Sequence, residues 1–116
     1  MNAAELEHRE LVTLLATLGL MARLDGDASN EEAEFLDEIA TEIGEERFGK
    51  AATEAAQFAD GEAIVRGAAG VIRPEARELI FSLLFEMAVK ESIVAREAEL
   101  LDKLASLWGL PQRAGA

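Results

Sequence analysis

The sequence predicts an all-α fold, a compact bundle of about six helices with a pseudo-twofold repeat of helix-turn-helix units. Three observations carry this: apolar residues recur at three- and four-residue spacing along almost the whole chain, no alternating β-branched run occurs, and two stretches about 65 residues apart resemble each other.

In the first helix, expected from about Ala4 to Leu24, the apolar set Leu11, Leu14, Leu15, Leu18 and Met21 lines one face. Asp25, Gly26 and Asp27 supply its stop, since glycine tolerates the left-handed backbone that closes a helix and aspartate favours turns. Ser29 with Glu32 has capping-box spacing and restarts the chain as a second helix, with Phe35, Leu36, Ile39, Ala40 and Ile43 inward and Gly44 as its end. A short Ala-rich helix is expected over 45–58, broken by Asp60 and Gly61, and another around Ile64 to Ile72. Pro74 suits a first helical position and opens the most apolar helix, to about Glu91, which is expected at the centre of the bundle or with one face in a subunit interface. The last helix, near Ala95 to Trp108, buries Leu100, Leu101, Leu104 and Trp108. Gly109 and Pro111 stop it, and residues 112–116 are expected to be loose.

Glu32 to Gly44 aligns with Glu97 to Gly109, pairing Glu32 with Glu97, Ala33 with Ala98, Glu34 with Glu99, Leu36 with Leu101, Asp37 with Asp102, Ala40 with Ala105 and Gly44 with Gly109. Upstream, Met21-Ala22 pairs with Met87-Ala88 if the second turn is one residue shorter. Repeat units of about 11–44 and 77–109 follow, within one domain over 1–116. Two amphipathic helices of like composition also match by pattern alone. Two copies are too few for a solenoid, so a pseudo-twofold bundle is the expectation.

The net charge is −12, from 11 Lys and Arg against 23 Asp and Glu. Nucleic acid and anionic membranes need cations to replace counterions, so neither is an expected partner. Glu5, Glu7 and Glu10 precede the apolar run from Leu11 to Met21, which is too short to span a bilayer and lacks the positive start of a secretion signal. No direct membrane insertion and a cytoplasmic location are expected. The absence of cysteine removes thiolate metal sites and disulfides.

No catalytic arrangement emerges, and no enzyme activity is expected. His8 is the sole histidine, and Ser29, Ser82, Ser92 and Ser106 sit in no nucleophile elbow. Residues 66–71 lack the preceding strand and closing glycine of a phosphate loop and read as close helix packing.

Residues 25–46 carry Asp25, Asp27, Glu31, Glu32, Glu34, Asp37, Glu38, Glu42, Glu45 and Glu46, with no Lys or Arg. Hard cations such as Ca²⁺, Mg²⁺ or Mn²⁺ relieve such self-repulsion through oxygen ligands. A candidate divalent site joins Asp25, Asp27 and Glu32 to Glu91 or Glu97 of the second unit. Capping and the helix dipole account for the same acidic residues without any ion. Met21 and Arg23 occupy the first ligand positions of an EF-hand loop, which excludes that motif.

The stretch from Met21 to Leu36, MARLDGDASNEEAEFL, resembles the repeated A-x-x-D-G…E-x-x-x-L signature of the TerB-like tellurite-resistance family, which includes a domain of membrane-anchored J-domain co-chaperones. The resemblance covers most of the chain, including 73–77 and 101–110, and departs where Glu91-Ser92 replaces Asp-Gly. It implies an all-helical cytoplasmic module acting in stress-response or membrane-associated complexes, with metal binding at the acidic positions. Two functions therefore stand side by side: a cation-responsive module, and a metal-free module that binds a protein partner or forms a homo-oligomer through Phe81, Phe85 or Trp108.

Overall fold

The computed structural model describes the backbone of residues 1–25, 30–58, 60–90 and 95–110 and, of these, the side chains outside 23–32 and 90–97. A 3-10 turn at Ala3–Glu5 leads into six α-helices: α1 (His8–Asp25), α2 (Asn30–Ile43), α3 (Glu45–Ala55), α4 (Gly61–Ala68), α5 (Pro74–Lys90) and α6 (Ala95–Trp108). No strand occurs among the described residues, and the bundle is compact, with a radius of gyration of 12.9 Å.

The central helix is α1, whereas α5 was expected at the centre or with one face in a subunit interface. Every residue from Glu10 to Leu18 is buried, and α3, α4, α5 and α6 all pack on this helix. The sequence disguises this because Glu10, Thr13 and Thr17 read as a polar stripe. The fold satisfies each of them internally. Thr13 Oγ donates to Arg9 O (3.1 Å) and Thr17 Oγ to Thr13 O (2.7 Å), so both hydroxyls enter the core without an unmet hydrogen bond. By contrast α5 keeps a solvent side, with Val89 55% exposed and Leu79, Leu83 and Phe85 only half-buried.

Glu10 is N3 of α1 and is held from two directions. Its carboxylate accepts the backbone N–H of Glu7 (2.7 Å), the return half of a capping box. Arg73, between α4 and α5, donates Nε to the second carboxylate oxygen (2.9 Å) and Nη2 to the first, in a forked pair. The same guanidinium donates to Glu5 O. Arg47 of α3 donates to Ala4 O and Leu6 O, and Glu42 of α2 accepts the N–H of Ala3 (3.2 Å). Four side chains from four places in the chain thus dock the first residues over buried Ala3 and Leu6.

Turn chemistry sets the remaining boundaries. Asp60, expected to break a helix, also caps the next: its Oδ1 accepts the Ala63 N–H (2.8 Å), so α4 starts at Gly61, three residues before the expected Ile64. α3 ends at Ala55, short of Phe58. The α1 start also differs from the expected Ala4, because Leu6 is extended at the end of the 3-10 turn. α6 spans Ala95–Trp108 as expected. Its Trp108 is buried, with Nε1 donating to Ala68 O of α4 (3.0 Å). The expected Asp25-Gly26-Asp27 stop, the Ser29–Glu32 cap, Pro111 and the tail 112–116 lie outside the described residues.

The two units agree in detail. α2 and α6 have 14 residues each, and their first and last residues are partners in the internal alignment. Phe35, Ile39 and Ile43 are buried in α2, as are their partners Leu100, Leu104 and Trp108 in α6. Both helices end on a positive-φ glycine, Gly44 (φ 94°) and Gly109 (φ 68°). After Gly109, the Leu110 N–H turns back onto Ala105 O (2.8 Å). In the Met21–Met87 register, buried Leu14, Leu15, Leu18 and Met21 of α1 match buried Ile80, Phe81, Leu84 and Met87 of α5. Packing differs between the units, since α6 lies on α5 whereas α2 lies on α3 and the 3-10 turn.

The Arg73 hydrogen bonds hold the Glu10 carboxyl below the usual carboxylate range; burial opposes this shift, while the Glu7 N–H and the Arg73 charge reinforce it. A carboxyl with a depressed folded pKa contributes its full stabilisation above the unfolded pKa of about 4.3 and loses it as pH falls through the folded value. Urea unfolding across acid pH, followed by Trp108 fluorescence, is therefore expected to show stability falling below about pH 5, with a shallower decline in Glu10→Gln. Equal slopes for the two proteins would remove Glu10 from the acid response.

Candidate functional site

Of the five expected ligands, Asp27 and Glu91 lie outside the described residues, and the side chains of Asp25, Glu32 and Glu97 do as well. Their backbone positions are the last residue of α1 and the first turns of α2 and α6. Among the described residues no group of three or more His, Asp or Glu side chains is placed to hold a metal ion, and no helix is long and apolar enough to cross a membrane. The aromatic residues named as possible anchors sit on apolar helix faces, and the core takes them up as those faces allow. Phe81 and Trp108 are buried, and Phe85 is half-buried with its ring stacked on Phe81 at a centroid distance of 6.4 Å.

An apolar groove of about 390 Å³ opens beside α1 instead. α1 contributes Leu15, Leu18, Gly19 and Ala22, α3 and its C-cap contribute Phe48, Ala52, Ala55 and then Ala56, and Leu36 of α2 and Met87 of α5 close it. Every described lining residue is apolar or glycine. Its origin is local. α1 packs most extensively on α3, and the facing residues there are small, so no long side chain fills the flank of the contact.

Gly19 is the decisive position. It is exposed in the interior of α1, its φ is not positive, and a Cβ built on it meets nothing within 4 Å. Neither a turn nor a close approach demands glycine here. Gly49 inside α3 is equally unconstrained but lines no part of the groove, whereas two other glycines have such reasons: a Cβ at Gly67 would stand 2.9 Å from the Phe58 ring, and one at Gly70 would stand 3.2 Å from Arg9 Cδ. The close packing expected of residues 66–71 is thus what these two glycines provide.

The groove borders an unneutralised acidic helix. α2 carries no Lys or Arg, and its exposed Glu34, Asp37 and Glu38 have no ion-pair or hydrogen-bond partner among the described residues. The cations of neighbouring α3 are engaged elsewhere, Arg47 on the N-terminal carbonyls and Lys50 on Glu46 (3.4 Å). Chemically the site offers apolar burial beside negative charge. It presents no paired acid and base.

Comparison with protein-family models, with curated proteins and with solved structures finds no match for the chain. Sequence reading passed over the groove because cavities arise between helices, whereas periodicity reports one helix at a time. The available signal was Gly19 itself, a glycine inside a strongly periodic helix with no boundary nearby.

Glycine in an open helix interior costs about 0.5–1 kcal/mol relative to alanine, so Gly19→Ala is expected to raise stability by that amount. Gly44→Ala forces a side chain onto φ 94°, and a loss of about 1–3 kcal/mol is expected. Urea melts of both variants check the pair of signs. A destabilising Gly19→Ala would mean that the groove is filled in the folded chain.

Proposed function

We propose that the chain is a non-enzymatic protein-interaction module, and that its groove receives the apolar face of a cationic amphipathic helix from a protein partner. The single observation behind this reading is an open apolar groove bordered by a helix on which Glu34, Asp37 and Glu38 have no cationic partner among the described residues. A groove between helices takes a partner helix through side chains at i, i+3, i+4 and i+7. Lysine or arginine on the partner's polar face meets Glu34, Asp37 and Glu38, which speeds encounter and excludes acidic competitors. The net charge of −12 extends the same selection over long range.

Apolar area supplies the affinity and charge supplies the choice of partner. Leu36 joins these two parts, since it lines the groove and is next to Asp37 in sequence. A homo-oligomer is disfavoured on this reading, because two acidic surfaces repel. The TerB-like resemblance of Met21 to Leu36 adds a setting, cytoplasmic stress-response or membrane-associated complexes, in which such a module would act.

The test uses two synthetic helices with the same apolar face, one carrying lysine and the other glutamate on the polar face. Calorimetry is expected to show saturable binding of the lysine helix only, weakening at least about tenfold between low and physiological-to-high salt. Glu34→Gln, Asp37→Asn and Glu38→Gln combined should reduce that salt dependence, and Ala52→Glu should abolish binding. Equal binding of both helices, or none by either, would contradict the proposal.

A further inference from the structure

We infer that the groove selects an aromatic anchor on the partner helix, seated over Gly19 and packed against Phe48; the inference rests on the helix-docking reading above. The chain supplies its own comparison. In the register that pairs the buried residues of α1 with those of α5, Leu15 corresponds to Phe81 and Gly19 to Phe85. On α5 those two positions carry stacked rings, Phe81 buried and Phe85 half-buried against it. On α1 the corresponding positions carry Leu15 and a bare backbone, and the flank is open. The first unit therefore lacks the aromatic side chain that the second provides for itself.

What lines the gap suits an aromatic ring better than a branched aliphatic chain. Phe48 of α3 is half-buried in the groove wall, and no ring contact engages it among the described residues. Met87 also lines this space, and a methionine side chain packs favourably with aromatic rings. Ala52, Ala55 and Ala56 opposite α1 leave room for a flat side chain to slide between the helices. Aromatic pairs gain beyond their buried area, enough for about a three- to tenfold preference over an aliphatic anchor.

The lysine probe helix is made with phenylalanine, leucine or alanine at its central anchor and titrated against the wild-type chain, Phe48→Leu, Gly19→Phe and Gly19→Ala. Wild type is expected to bind the phenylalanine probe about three- to tenfold more tightly than the leucine probe, and the alanine probe most weakly. Phe48→Leu should erase the phenylalanine preference and keep leucine binding. Gly19→Phe should lose all three probes by more than about tenfold with an unchanged or raised melting temperature, and Gly19→Ala, with smaller bulk, gives the same direction in a variant that folds. Leucine equal to or better than phenylalanine overturns the aromatic inference and leaves helix docking intact. A phenylalanine preference that survives Phe48→Leu overturns the assignment of Phe48. No binding by any probe overturns the docking reading and this inference with it.

Discussion

The architecture depends on burying one helix on every side. α1 has neighbours in α3, α4, α5 and α6, and every residue from Glu10 to Leu18 is buried. An amphipathic helix needs only one apolar stripe, whereas an all-round buried helix must also dispose of every polar group it carries. α1 does so with its own backbone at Thr13 and Thr17, and with Arg73 and the Glu7 N–H at Glu10. The Glu10–Arg73 pair then fixes the start of α5 against the start of α1, and Arg73 reaches on to Glu5. The N-terminal turn, the central helix and the second unit are therefore positioned by one forked interaction.

The groove follows from the same arrangement. Four helices around one post leave flanks wherever their side chains are short, and the α1–α3 contact is made largely of alanine with one glycine. In the other unit the corresponding positions of α5 carry Phe81 and Phe85, whose rings stack on each other. Repetition of one helix-turn-helix pattern thus puts rings at two positions of α5 and Leu15 and Gly19 at the matching positions of α1, where the face stays open. The open face adjoins the helix with the greatest excess of unpaired carboxylate, so apolar attraction and electrostatic selection converge on one part of the surface.

Much of the fold was legible in the residues. Three- and four-residue spacing, Pro74 and the two terminal glycines placed α5 and α6 well, and the repeat placed α2 on α6 residue for residue. Where reading failed, polar side chains had found partners that spacing does not reveal. Thr13 and Thr17 concealed the centrality of α1, and Asp60 acted as a cap as well as a breaker. Phe81 and Trp108 lie in the core, as their apolar helix faces suggested, with Trp108 Nε1 donating to Ala68 O and Phe81 beside Phe85. The groove was the least legible part, being assembled from residues of four separate helices. Asp25, Asp27, Glu32, Glu91 and Glu97 were singled out by charge density, and their side chains lie outside the described residues.

The most direct test of the central post is native-state amide hydrogen exchange. Amides from Leu14 to Leu18 are expected to exchange only through global unfolding, with the highest protection in the chain, and the exposed side of α5 near Val89 to exchange through smaller openings. Protection centred on α5, with α1 opening locally, would contradict the account and return the centre of the bundle to the more apolar helix.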